Sequence, residues 1–200
     1  MKILADCHSN KGDKMENFEY FENAGNWAEK VFEISKKYAE ANGIMDIVVA
    51  STTGETGAKA SNFFKGFNLV IVTHSAGFKE LGKNELTEEN KKIIEKNGGK
   101  ILTTTHALSS AERAIKKKLG TIGTLEIMAY TLRTFGQGVK VCVEISLMAA
   151  DAGLIPVDKN VICIAGTSRS ADTALLIKPA NSADFFDLKV RKVLCKPANF

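Results

Sequence analysis

Asp46-Ile-Val-Val-Ala-Ser-Thr-Thr-Gly-Glu-Thr-Gly57 runs from β-branched, apolar residues into a turn rich in hydroxyls and glycine. Asp46–Ser51 is short and almost continuously apolar, as a strand covered on both faces of a parallel sheet must be. A helix is expected from about Glu55 to Lys65, and Asn68-Leu-Val-Ile-Val-Thr73 then repeats the strand. The unit recurs once more: Thr87 to Asn97 reads as a helix with Thr87 as N-cap and Gly98-Gly99 as stop, followed by a strand over Lys100–Thr105. Upstream, Trp27, Val31, Ile34, Tyr38 and Ala41 recur at spacings of three and four, which predicts a helix over Asn23–Asn42 ended by Gly43.

Downstream the alternation is interrupted. Ser109-Ser110-Ala-Glu112 opens a helix in capping-box style, and Leu125–Phe135 and Val139–Ala152 read as two more. Strands return at Asn160–Ala165, Thr173–Lys178 and Leu188–Cys195, the last alternating polar and apolar as an edge strand does. Alternating strands and helices predict an α/β fold, a three-layer α/β/α sandwich with helices on both faces of the sheet. The long helical excursion allows the strand ending at Ala165 to return beside the strand ending at Ser51, and that reversal creates a ligand crevice at the strands' carboxyl ends.

Composition narrows the classes of function. In 200 residues, 44% hydrophobic and 25% charged, one domain over residues 18–200 is expected, after a polar extension at 1–17. The net charge of +4 comes from lysines interleaved with glutamates, such as Lys91, Lys92, Glu95 and Lys96, which argues against a nucleic-acid partner. Four cysteines, Cys7, Cys142, Cys163 and Cys195, form no CxxC and suggest no disulfide framework. No secretory signal and no membrane-length apolar run are present in the sequence, so a cytoplasmic location is expected.

Three segments carry candidate chemistry. Ser51, Thr52, Thr53, Gly54, Glu55 and Thr56 combine hydroxyls, a sharp turn and a helix N-terminus, a combination that attracts anions and also serves as an ordinary helix cap. It is neither a Walker loop nor GxGxxG. Gly166, Thr167 and Arg169 hold the equivalent place after the returning strand, with a guanidinium suited to phosphate or carboxylate. Thr73, His74, Gly77 and Phe78 after one strand and His106 after the next line the same sheet edge, as proton-moving or ligand-contacting groups or as solvated caps. Their spacing gives no metal site. Glu144 sits in a helix apolar nearly all round, where a carboxylate needs a partner and a salt bridge is the commoner answer.

The stretch Asp46–Ala60, with Val70-Ile-Val-Thr-His74, resembles the C-terminal domain of pyruvate kinase. It is more similar to a small stand-alone family of pyruvate-kinase C-terminal-domain-like proteins, found mainly in archaea. That likeness covers about residues 18–197. It also rests on Lys140-Val-Cys-Val-Glu-Ile, Met148-Ala-Ala-Asp-Ala-Gly, Ser168-Arg-Ser-Ala-Asp-Thr-Ala, Lys178-Pro-Ala and Phe185-Phe-Asp187. The resemblance implies a mostly parallel sheet with one antiparallel edge strand and bound flavin mononucleotide (FMN). Its phosphate would lie near Thr52–Thr56, its ring toward His74, Gly77, Phe78 and His106, with Thr167 and Arg169 closing the far side. Pyruvate kinase activity is not implied, because that enzyme's catalytic barrel is another domain. The expected function is therefore binding of a phosphorylated small molecule. The alternatives are an FMN-dependent oxidoreductase and a metabolite-sensing regulatory domain without catalysis, and a homo-oligomer stays open.

Overall fold

A computed structural model describes residues 19–168 and 170–200. The extension at 1–17, with Cys7 and His8, and the candidate Arg169 lie outside the described residues. The elements run β1 (Glu19–Asn23), α1 (Ala28–Asn42), β2 (Asp46–Ala50), α2 (Glu55–Phe63), β3 (Asn68–Thr73), α3 (Glu88–Lys96) and β4 (Lys100–Thr103). They continue with α4 (Ser110–Leu119), α5 (Thr124–Arg133), α6 (Gln137–Asp151), β5 (Val161–Ala165), β6 (Thr173–Lys178) and β7 (Lys189–Asn199), with a 3-10 turn at Ser182–Asp187.

One seven-stranded sheet has the order β1-β7-β6-β5-β2-β3-β4. As expected, β5 returns beside β2, pairing Val48 with Cys163 in parallel register. β6 runs antiparallel to both β5 and β7 and the other pairings are parallel, so the sheet is mostly parallel with its antiparallel pairing toward one side. The alternating pleat sends successive β2 side chains to opposite layers. Ile47 and Val49 join Val31, Phe32, Ala60, Phe64 and Ile94 of α1 to α3, whereas Val48 joins Val139, Cys142, Val143 and Leu147 of α6. Two fully buried cores on the two faces make this a three-layer α/β/α sandwich.

Four sequence expectations are corrected. Glu19–Asn23 is a strand, so the first helix begins at Ala28 instead of Asn23. Trp27 lies before that helix, stacked on Phe21 at 4.7 Å and donating its indole N–H to the Asn23 carbonyl. The helix buries Val31, Phe32, Ser35 and Ala39, a stripe rotated from the one containing Ile34 and Tyr38. β7 is not the edge, because β1 pairs outside it through Glu19–Cys195 to Asn23–Asn199. Glu112 forms no capping box with Ser109; its carboxylate accepts from Leu125 N–H at 3.1 Å and Glu126 N–H at 2.8 Å, capping α5 instead of its own helix. Thr87 does cap α3, accepting from Asn90 N–H.

Among the described residues no helix is long and apolar enough to cross a membrane.

Candidate functional site

The carboxyl ends of β2, β3, β4 and β5 surround a cavity of about 570 Å³. Its first wall is the β2–α2 turn. Ser51 N–H donates to the Val72 carbonyl and prolongs the ladder by one residue, while Ser51 Oγ accepts from Gly57 N–H at 2.9 Å, closing the first turn of α2. Gly54 has φ of 88°, and a Cβ there would come within 2.5 Å of Leu86 Cδ1 and 2.6 Å of Asn90 Cβ. Glycine is thus required both by backbone conformation and by the close approach of α3. Asn90 Nδ2 and Thr87 N–H both donate to the Thr53 carbonyl, pinning the turn. Thr52, Thr53, Glu55 and Thr56 line the cavity at the positive end of the α2 dipole.

The second wall is aromatic. His74 follows β3 and His106 follows β4, with ring centroids 5.3 Å apart, and Phe78 packs on both, 4.0 Å from His74 and 5.0 Å from His106. The Arg113 guanidinium lies 4.2 Å from the Phe78 centroid, a cation–π contact. His74 is held at both nitrogens: Nδ1 is 2.9 Å from Glu85 Oε2, and Nε2 is 3.4 Å from Thr52 Oγ1. Burial lowers the pKa of His106 below its usual 6.5; Glu144 opposes the shift, while His74, Lys140 and Arg113 add to it. Burial thus favours the neutral imidazole of His106. Thr73 is almost fully buried at the margin of the cavity, its hydroxyl 2.6 Å from Thr103 Oγ1.

Helix α6 forms the floor. Lys140 and Glu144, one helical turn apart and almost fully buried, make an ion pair, and Glu144 Oε1 also accepts from Leu108 N–H. Burial lowers the Lys140 pKa below 10.5 even though Glu144 pulls it back up. Glu144 thus has the structural partner its position required. The β5–β6 loop closes the rim: Gly166 sits so near Ser170 that a Cβ would be 2.0 Å from its carbonyl oxygen. Asp172, fully buried, accepts from Thr167 N–H at 3.0 Å and from the Thr173 hydroxyl at 2.7 Å.

Of the residues singled out from sequence, Ser51, Thr52, Thr53, Glu55, Thr56, Thr73, His74, Phe78, His106 and Gly166 line this one cavity. Gly54 shapes the turn from beneath, Gly77 lies at a loop bend with φ of 79°, and Thr167 is bound to Asp172 behind the rim. Neither Gly77 nor Thr167 is part of the cavity wall. Sequence reasoning missed Glu85, Lys140 and Arg133. The spacing of Lys140 and Glu144 was the available signal for that pair; Glu85 belongs to the irregular segment between β3 and α3 and carried none. Among the described residues no three His, Cys, Asp or Glu side chains group as metal ligands.

A fold with β5 beside β2, a hydroxyl-rich turn at the α2 N-terminus and a ligand-sized cavity at the strand ends is thereby assembled. The model of the pyruvate kinase alpha/beta domain matches residues 29–177 of the 200, and the chain belongs to that family.

Proposed function

We propose that this protein binds a phosphorylated small molecule in the cavity at the carboxyl ends of β2 to β5, with FMN as the ligand. The observation that carries the reading is that the Thr52–Thr56 turn and the His74–Phe78–His106 stack open onto the same space of about 570 Å³. That volume lies in the range of small-molecule and cofactor pockets. A phosphate fits the first wall, where Thr52, Thr53 and Thr56 offer hydroxyls and α2 offers free N–H groups. A planar ring fits against the second, where the half-buried His74, Phe78 and His106 line the cavity with ring edges and imidazole nitrogens.

When bound, FMN supplies redox chemistry; this chain supplies the anion cradle, the stacking wall and the imidazoles. An FMN-dependent oxidoreductase is the second reading. It is favoured by an adjoining cavity of about 550 Å³ that shares Phe78, His106, Arg133 and Lys140 with the first and is lined by Arg113 and Lys117 together with Glu112 and the Lys116–Glu126 ion pair, room for a second substrate.

The test is a thermal-shift titration with FMN and, in parallel, riboflavin. A ligand at a hundredfold excess over its Kd stabilises the native state by about 2.7 kcal/mol. Stabilisation by FMN and not by riboflavin supports a phosphate-anchored site, and Thr53→Ala with Thr56→Ala should abolish it. A shift of equal size with both compounds, or an unaltered one in the double variant, sinks the placement.

A further inference from the structure

We infer that Glu85, His74 and Thr52 form a proton relay that couples binding of an anion at the Thr52 turn to uptake of a proton by His74. The inference rests on the reading that this turn receives a phosphate. Its physical basis is donor and acceptor accounting along two contacts, Glu85 Oε2 to His74 Nδ1 at 2.9 Å and His74 Nε2 to Thr52 Oγ1 at 3.4 Å.

An ionised carboxylate only accepts hydrogen bonds, so the Nδ1 facing Glu85 carries a proton whatever the charge of the ring. In neutral His74 the other nitrogen then holds a lone pair, and the Thr52 hydroxyl must donate to it. The single hydroxyl proton of Thr52 is engaged inside the protein, and its oxygen offers an incoming phosphate only lone pairs. In protonated His74, Nε2–H donates to Thr52 Oγ1 instead. The hydroxyl proton is released to point into the cavity, where it can donate to a phosphate oxygen, and the imidazolium adds a positive charge beside the anion. Anion binding and protonation therefore favour each other. One covalent bond forms, Nε2–H of His74, its proton taken from a solvent or buffer acid that is left as the conjugate base; Thr52 keeps its O–H bond and only reorients it.

The surroundings allow this coupling. His74 and Glu85 are both partly accessible, with side-chain exposures of 32% and 24%, so a proton can arrive from water. Glu85 compensates the imidazolium directly. The other groups facing the same space are His106 after β4, Lys79 on the loop carrying Glu85, Glu55 at the start of α2, Arg133 of α5, and Lys140 and Glu144 of α6. Lys140 and Glu144 are paired with each other, and burial disfavours the charged form of His106, which leaves solvent as the proton's source. Glu85 is a positioning residue here: it fixes the tautomer that gives Thr52 its two states.

Calorimetric titration of the full chain with FMN, and separately with inorganic phosphate, tests this in two buffers of different ionisation enthalpy between pH 6 and 8.5. The wild type should take up more protons on binding than His74→Gln, by an amount between zero and one. Its affinity should fall more steeply with rising pH, approaching about tenfold per pH unit at the limit of one coupled proton. Comparison with the variant cancels titration of the ligand's own phosphate. Thr52→Val should reduce the coupling to what the imidazolium's charge alone supplies, so that its slope lies between those of the wild type and His74→Gln, and Glu85→Gln should shrink it. Equal pH profiles for wild type and His74→Gln, or an undiminished slope in Thr52→Val, overturn the relay. Binding of phosphate but not FMN rejects the flavin reading while the phosphate data still decide the relay; binding of neither rejects both.

Discussion

Replacing Lys140 by methionine strands Glu144 in the floor of the cavity. The two side chains are 7% and 5% exposed and pair along one turn of α6, so each is compensated chiefly by the other. The Glu144 carboxylate also accepts from Leu108 N–H at 3.1 Å. Removing one member of a buried pair leaves an uncompensated charge and costs about 3–5 kcal/mol. For a domain of this length that lowers Tm by roughly 6–20 °C, at about 2–4 °C per kcal/mol. The double variant Lys140→Met with Glu144→Gln removes both charges, fills the volume, and keeps an oxygen for Leu108 N–H. It should recover more than half of the loss, because desolvating two charges offsets most of what their attraction contributes. Thermal and urea unfolding at pH 7 of the wild type, both singles and the double complete the cycle. A Lys140→Met loss below about 1 kcal/mol, or a double variant no better than the single, would refute the argument that burial makes this pair interdependent.

Two further outcomes follow from the same geometry. Gly54→Ala should destabilise the fold by about 2–5 kcal/mol, from the left-handed backbone and from overpacking against Leu86 and Asn90, and a loss under 1 kcal/mol in chemical denaturation would contradict that contact. His106 should make stability depend on pH: its folded pKa is below 6.5, so below that pH the unfolded chain binds more protons, and stability intact above about 6.5 is lost as pH falls. His106→Gln should flatten this slope between pH 5 and 7 in unfolding midpoints, and an unchanged slope would place the titration elsewhere.

Local pattern explains why most elements were readable. The runs Asp46–Ala50, Asn68–Thr73 and Val161–Ala165 are β-branched and apolar on both faces, a pattern that only a doubly covered sheet satisfies. The turn after Ala50 was readable for a related reason, since hydroxyls and a glycine before a helix declare an anion-compatible N-terminus whatever surrounds them. Glu19–Asn23 failed the same test: its EYFEN sequence buries only Phe21, and one apolar residue gives no period. Its strand identity comes from the open edge of β7. Glu112 was misread for a similar reason, because a carboxylate three residues after Ser109 suits two different helix starts, and only the packing of α5 beside α4 chooses between them.

By itself, then, the sequence determined the elements, the layered α/β class, the return of β5 beside β2, and the strand ends at which hydroxyls and imidazoles gather. Each of these follows from periodicity, turn chemistry or connection rules acting over short stretches of chain. Tertiary structure alone decided that the Leu108 N–H would reach Glu144 in the cavity floor, that Glu112 would cap α5 and not its own helix, and that Glu85 would meet Nδ1 of His74. Those pairings depend on where separate elements come to rest, and contact between residues distant along the chain leaves no mark in local pattern.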